Sequence, residues 1–174
     1  MAALFAYRCR CCGELHEGSP NIGFDAPHPY ELLDAEERTR LATLGSDLCT
    51  IDYGDHCDHF VRACLEVPIR GYAEPFTWGA WASLSAASFA CYRATWEQPN
   101  PDESWFGWFS NCLPGYPDTL NLKCRVCPRG DDLRPQLVLE PTGHPLALDY
   151  DQGMTPDQAQ VLAERITHGN GGER

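Results

Sequence analysis

Alternating apolar and polar positions predict a β-sheet in the middle of the chain. In residues 60–69 apolar side chains recur at every second position, with Arg62 and Glu66 between them. A period of two is typical of a half-buried antiparallel strand. In the next apolar run the odd separation of Trp78 and Trp81 predicts that they lie on opposite faces. Further strands are predicted over residues 4–8, 48–52, 76–84, 105–113, 120–126 and 136–140.

Two helices are predicted on either side of the first long strands. Residues 30–44 carry leucines near helical spacing, and Gly45 provides a stop. Residues 86–96 follow Ser85, a residue type that caps helix N-termini by accepting a hydrogen bond from the first turn.

A third helix is predicted over residues 154–168, close to the end of the chain. Thr155 provides the N-cap, Pro156 fits the first helical position and Gln158 completes a capping box. The glycine-rich residues 169–174 are predicted to form a disordered tail.

These elements predict a single α+β domain over residues 1–174. A largely antiparallel sheet of about five or six strands would carry the three helices. The length of 174 residues and a hydrophobic content of 43% suit one core. Residues 1–17 would form an N-terminal strand followed by a cysteine-rich turn.

The charge and the apolar pattern exclude some classes of partner. With 25 acidic and 13 basic residues, the chain has a net charge of −12, which argues against nucleic-acid binding. An acidic surface could steer a basic protein partner, although charge alone favours an acidic protein with no special partner. No apolar run approaches the roughly 20 residues that cross a bilayer, and no signal peptide is evident, so a cytoplasmic protein that does not bind membranes is expected.

The cysteines carry the clearest chemical prediction. In a reducing cytoplasm the chain's 10 cysteines should be thiols or metal ligands rather than disulfides. Cys9 and Cys12 form one Cys-x-x-Cys pair, and Cys124 and Cys127 form another. Two such pairs are typical of a tetrahedral zinc site, and four cysteines would make a closed, structural one. We therefore predict a structural zinc ion bound by these four residues.

His16 is an alternative ligand, because it lies four residues after Cys12. A site of Cys9, Cys12, His16 and a water molecule would leave a coordination position open, as in zinc-dependent hydrolases. A redox function of the first pair is less favoured, because redox Cys-x-x-Cys motifs open a helix after a strand.

A second possible site surrounds His144. This histidine lies between Gly143 and Pro145, which suits a stiffly held general base, although a structural loop histidine fits the same pattern. Motifs that would supply a nucleophile, such as Gly-x-Ser-x-Gly, are absent. The candidate catalytic residues of this enzyme hypothesis are His144, Glu140, Asp149, Arg62 and Lys123.

Aromatic residues are concentrated on two of the predicted strands. They would fill the core if helices covered both faces of the sheet, and otherwise they would form an exposed strip for a ligand or partner. These aromatic residues are Trp78, Trp81, Trp105, Phe106, Trp108 and Phe109.

Several stretches together resemble one bacterial family. They are Cys9-x-x-Cys12-Gly13 with His16, Ser46-Asp-Leu-Cys49, Leu65-Glu-Val-Pro-Ile69, Trp78-Gly-x-Trp81, Phe106-Gly-Trp-Phe-Ser-Asn111, Leu113-Pro-Gly-Tyr-Pro-Asp-Thr119 and His144-Pro-Leu-Ala147. In these stretches the chain resembles the uncharacterised family called domain of unknown function 2199. The resemblance implies no activity. It implies the first cysteine pair and His16 as shared residues, but not reliably Cys124 and Cys127.

The function predicted from these observations is that of a small, acidic, zinc-stabilised protein-interaction module. Bacterial immunity proteins have a similar size and acidity, although this is an analogy. The alternatives are the enzyme built around His144 and the zinc-dependent hydrolase that uses Cys9, Cys12 and His16.

Overall fold

The structure is a computed structural model that describes residues 4–130 and 132–169. Of the predicted tail, residues 170–174 lie outside the described residues. The elements, in chain order, are β1 (Ala6–Arg8), β2 (Leu15–Glu17), β3 (Asn21–Gly23), α1 (His28–Glu31), α2 (Ala35–Leu41), β4 (Ala42–Leu44), β5 (Leu48–Asp52), β6 (Cys57–Val67), β7 (Phe76–Leu84), α3 (Ala86–Ala94), β8 (Trp105–Phe109), β9 (Lys123–Cys127), β10 (Gln136–Leu139), α4 (Pro145–Gln152) and α5 (Pro156–His168).

The main sheet closes into a five-stranded barrel. Its strands follow the order β6, β7, β8, β9 and β10, and β10 returns to pair with β6. All neighbours in this ring are antiparallel except β10 and β6. The prediction of a mostly antiparallel α+β fold is confirmed. Closure was not predicted, because the pairing of β10 with β6 joins strands that are distant in sequence.

The alternating pattern of β6 builds the barrel interior. Val61, Ala63, Leu65 and Val67 are all fully buried in the main core. The helices α3, α4 and α5 add side chains to the same core. The face of β6 assigned from the sequence is therefore the interior face of the barrel.

A second, smaller core lies outside the barrel wall. Trp78 belongs to the main core, whereas Trp81 is packed with Cys49, Ile51 and Phe60 in the second core. This arrangement confirms that the two tryptophans point to opposite faces. Leu33 and Leu41, from the helical region 28–41, cover the second core.

The helix predicted over residues 30–44 is wrong in its extent. The chain forms α1, then α2, and then the strand β4. Asp34 divides the region because its side chain accepts a hydrogen bond from the backbone of Glu37, whose side chain accepts one from Asp34. This capping box starts a new helix. The structure therefore has five helices among the described residues, rather than three.

The helix α4 was not predicted, and it forms from the segment around His144 that was predicted to be a stiff loop. His144 is the N-cap of α4 and Pro145 occupies its first turn. Proline is well suited to the first helical position, because its missing N–H has no partner there in any case. None of the helices in the described chain has the length and apolar composition that a bilayer crossing requires.

Candidate metal centre

The first cysteine pair lies in the turn of the β1–β2 hairpin. The Cys9 N–H donates to the Glu14 carbonyl at 2.8 Å, and the Gly13 N–H donates to the Cys9 carbonyl at 2.9 Å. Gly13 has a φ of 75°, in the left-handed region that glycine adopts without a steric penalty. The turn folds back on itself, so Cys9 and Cys12 present their thiols to one place.

The second strand of the hairpin adds His16. Its ring stacks on that of Tyr7, the residue directly opposite it, with centroids 5.1 Å apart and planes inclined by 15°. The His16 Nε2 atom lies 3.7 Å from the Cys12 sulfur. Stacking on Tyr7 thus fixes the imidazole plane next to the thiol.

The last helix brings His168 to the same place. Its Nε2 atom lies 3.2 Å from the Cys9 sulfur, across 159 residues of sequence. The ligand atoms of Cys9, Cys12, His16 and His168 all lie within 4.8 Å of one another. Zinc bonds of about 2.0–2.3 Å in a tetrahedron put ligand atoms about 3.3–3.8 Å apart. The sulfur–nitrogen distances of 3.2 Å and 3.7 Å lie at or near this range, and two sulfurs with two imidazole nitrogens form a donor set that suits zinc.

Polar contacts dock α5 onto the hairpin beside these ligands. The Arg10 N–H donates to the Glu164 carboxylate at 2.7 Å, and the Gln160 side chain donates to the Arg8 carbonyl at 3.0 Å. Gln160, Glu164 and His168 follow one another at intervals of four residues, which places them on one helix face. The face that docks on the turn is thus the face that delivers the histidine.

Hydrogen bonds from the turn favour a thiolate at Cys9. Burial raises the pKa of this thiol, but the backbone N–H groups of Cys12 and Cys11 donate to it and bring the pKa below its usual value. The Cys11 N–H lies 3.3 Å from the sulfur. At Cys12 the backbone N–H of Glu14 lowers the pKa, yet burial and the neighbouring Cys9 outweigh it and leave the pKa raised. Metal ligation requires the thiolate form.

The structure does not bring Cys124 or Cys127 into this group. Both lie on β9, where Cys124 is buried in the main core and Cys127 is half-buried. Positions three apart on a strand point to opposite faces. The two thiols therefore diverge. Among the described residues, the group that could hold a metal joins the first pair to the alternative ligand His16 and to His168.

His168 is the candidate ligand that was not predicted from the sequence. The signal was present as the polar spacing Gln160, Glu164 and His168 along the predicted last helix. It was not sufficient, because nothing in the spacing shows that this helix packs against residues 9–16.

The five candidate catalytic residues do not form one group. His144 uses both ring nitrogens locally: Nδ1 accepts from the Leu146 N–H at 3.1 Å, and Nε2 donates to the Asp118 carbonyl at 3.0 Å. The Asp149 carboxylate accepts from the Tyr116 hydroxyl at 2.8 Å. These contacts hold α4 in place and leave His144 without a free nitrogen to act as a base.

The remaining three candidates lie on the barrel strands or beside them. The Glu140 N–H donates to the Lys123 carbonyl at 2.9 Å, so these two are neighbours. Arg62 lies over the Trp81 ring at 6.0 Å and donates to the Ser46 carbonyl. A cavity of about 570 Å³ is lined by residues that include Tyr92, Trp96, Arg129 and Arg134, and by none of the five candidates.

Comparison with known proteins identifies the family. Residues 8–154 match the family described as an uncharacterised protein conserved in bacteria, domain of unknown function 2199. The chain belongs to this family. The matched segment includes Cys9, Cys12 and His16 and ends before α5, so His168 lies beyond it. No curated protein and no solved structure matches the chain.

Proposed function

We propose that this member of the family binds a structural zinc ion through Cys9, Cys12, His16 and His168. The observation that carries the proposal is the convergence of two thiols and two imidazoles from the N-terminal hairpin and the last helix within 4.8 Å. Mixed sulfur and nitrogen donors suit zinc, whose structural sites in proteins are tetrahedral and are built from cysteine and histidine.

A structural role fits this set of ligands better than a catalytic role. Four protein ligands complete a tetrahedron, whereas hydrolytic zinc sites have three protein ligands and a water molecule. The hydrolase hypothesis with Cys9, Cys12 and His16 would need His168 to stay off the metal. The bound ion would instead link residues 9–16 to the end of α5 and so stabilise the packing of that helix.

We further propose that the zinc-stabilised domain acts through protein–protein contacts, in the manner of bacterial immunity proteins. The net charge of −12 supports a basic partner, because complementary charge accelerates association and improves specificity. None of the 10 cysteines forms a disulfide, which suits a reducing compartment such as the cytoplasm.

Elemental analysis of protein purified without chelators tests the metal proposal. We expect about one zinc per chain in the wild type, and loss of zinc in Cys9→Ser and His168→Ala. Cys127→Ser is the matched thiol control, and His56→Ala, in the exposed β5–β6 turn, is the matched imidazole control. Both controls should keep the metal. Full zinc content in His168→Ala, or its loss in Cys127→Ser, would contradict the proposed ligands.

The interaction proposal needs a separate measurement. Immobilised protein should retain a basic protein from bacterial lysate at near-physiological salt, and the purified pair should dissociate as salt rises. Repeated failure to retain any basic protein would count against this role and would leave the metal site unaffected.

A further inference from the structure

The outer wall of the barrel is covered on one side and open on another. Outside β6 and β7, Trp81 is completely buried by the second core. Outside β8, Phe106 and Trp108 remain 39% and 40% exposed. Large aromatic side chains that are left open on a sheet face are typical of contact surfaces.

Two basic residues lie directly beside these aromatics. In the pairing of β8 with β9, Phe106 is opposite Arg125 and Trp108 is opposite Lys123. Directly opposite residues share a face of the sheet. The two aromatic rings meet edge to face with centroids 5.0 Å apart. We call these four residues the aromatic–basic face.

The positive charges of this face have no acidic partner among the described residues. The Arg125 guanidinium donates to the hydroxyl and the carbonyl of Ser104, which are neutral. Neither Arg125 nor Lys123 has a carboxylate oxygen within 4.0 Å in the described chain, although Glu140 follows β10 next to Lys123. Asp102 and Glu103 line the same cavity as Arg125 without pairing with it, so the exposed aromatics lie beside two cations that form no ion pair among the described residues.

We infer that the aromatic–basic face docks an acidic segment of a partner protein whose carboxylates alternate with apolar side chains. Carboxylates would pair with Lys123 and Arg125, and apolar side chains would cover Phe106 and Trp108. Tryptophan and arginine are the residue types that most often dominate binding energy at interfaces. The inference rests on the proposed role in protein–protein contacts. It assigns an acidic partner segment to this one face, whereas the partner proposed from the net charge of the whole chain is basic.

A nucleic acid would use the same residue types, with bases stacked on the aromatics and phosphates on the cations. Two cations, however, neutralise few phosphates, and the chain's net charge of −12 repels a long polyanion. A short acidic segment carries few charges and places them only at the face. The charge balance therefore favours a protein segment.

The composition of the chain supplies a site-specific reporter for this face. Lys123 is the one lysine in the sequence, so labelling with ¹⁵N-lysine gives a single backbone amide signal. The probe is a synthetic six-residue peptide that alternates aspartate with leucine or phenylalanine. Matched peptides carry lysine or serine in place of aspartate. We expect the aspartate peptide to shift the Lys123 signal saturably, the serine peptide to bind at least fivefold more weakly, and the lysine peptide to leave the signal unchanged.

Two variants separate the aromatic contribution from the charge contribution. Trp108→Ala should weaken binding of the aspartate peptide at least fivefold, whereas the control Trp96→Ala, which removes an exposed tryptophan elsewhere, should not. Arg125→Gln should weaken it about threefold to tenfold and reduce its salt dependence. Zinc content measured on the same samples shows whether the variants keep the metal-bound fold.

Three results would overturn the inference. They are an unshifted Lys123 signal at millimolar aspartate peptide, equal affinity of the wild type and Trp108→Ala, and tighter binding of a 12-nucleotide oligothymidylate at the same signal. The last result would assign the face to single-stranded nucleic acid. All three are compatible with a bound zinc ion, so failure here is distinguishable from failure of the metal proposal.

Discussion

Cys9 and Cys12 have the same spacing as Cys124 and Cys127, yet the backbone directs the two pairs differently. The first pair lies in a turn that closes at Gly13, whose φ of 75° reverses the chain so that both thiols face one place. The second pair lies on β9, where alternation sends one thiol into the barrel and the other away from it. A Cys-x-x-Cys motif therefore predicts a metal site only where a turn carries it.

The surroundings of the two cysteine pairs also differ, in the polar groups that they offer to the thiols. Around Cys9 the turn offers backbone N–H groups, while β2 and α5 each bring one histidine. Around Cys124 the barrel offers apolar side chains, and burial raises the pKa of this thiol to about 12, with Glu140 and Cys127 adding to the effect. The environment of Cys9 therefore stabilises a thiolate, although the pKa of Cys12 stays raised, and the environment of Cys124 stabilises a neutral thiol. The four predictions below test this difference, beginning with the largest expected effect.

Metal removal should have the largest effect on stability, and only through the first pair. A ligand present at a thousand times its dissociation constant stabilises the folded state by about 4 kcal/mol. A strong chelator should therefore lower the melting temperature of the wild type and of Cys127→Ser by a similar amount. Cys9→Ser should have a lower melting temperature than the wild type, and the chelator should not change it. Thermal unfolding followed by circular dichroism measures the melting temperatures with and without the chelator. A chelator effect that persists in Cys9→Ser would contradict the assignment of Cys9 as a zinc ligand.

The fold was predictable wherever the pattern is local. The strand at residues 60–69, the opposite placement of Trp78 and Trp81 and the capping box at Thr155 follow from spacing and side-chain chemistry. The capping box at Asp34 divides the region 30–44 into separate elements. The prediction of one helix there did not take this capping box into account. Barrel closure depends on a pairing between β6 and β10 that no local pattern contains.

The candidate metal site was only half predictable, because one part of it is local in sequence and the other part is not. Cys9, Cys12 and His16 lie in one hairpin, so their spacing already suggests convergence. His168 joins them only because α5 docks through Gln160 and Glu164. The prediction that pairs Cys124 and Cys127 with this turn extends a turn rule to a strand, where the alternation rule used for the tryptophans separates the two thiols.

Replacement of Cys124 by serine should destabilise the fold without affecting zinc. The side chain is fully buried in the barrel core, where a hydroxyl without a partner costs about 2 kcal/mol. Cys127→Ser, at a half-buried position of the same strand, should cost less than about 0.5 kcal/mol. Urea unfolding and elemental analysis on both variants provide the measurements. Zinc loss in Cys124→Ser at a temperature where the protein stays folded would restore the second pair as ligands.

Replacement of Gly13 by alanine should cost about 1–2 kcal/mol, because a residue with a Cβ is disfavoured in the left-handed conformation of this turn. Among the described residues an added Cβ would meet no atom within 4 Å, so Gly13→Ala tests the cost of a left-handed backbone. Because the turn positions both thiols, we expect zinc affinity to fall about tenfold in a chelator competition assay, as 1.4 kcal/mol corresponds to a factor of ten. Gly130→Ala is the matched control after Cys127, since its backbone is not left-handed and its added Cβ also meets no atom of the described chain within 4 Å. Equal zinc affinity in the two variants would show that the turn does not preorganise the site.

The smallest effect should appear in alkaline solution and belong to Cys124. Its folded pKa of about 12 exceeds the value of about 8.5 for an unfolded thiol. A raised pKa means that the neutral thiol's contribution is complete below pH 8.5 and is lost as pH rises toward 12. The stability difference between the wild type and Cys124→Ala should therefore shrink by about 1 kcal/mol between pH 9 and pH 10. Urea unfolding at constant zinc measures this difference. An unchanged difference over that interval would mean that Cys124 ionises as readily in the barrel as in the unfolded chain, and the contrast between the two pairs would then rest on geometry alone.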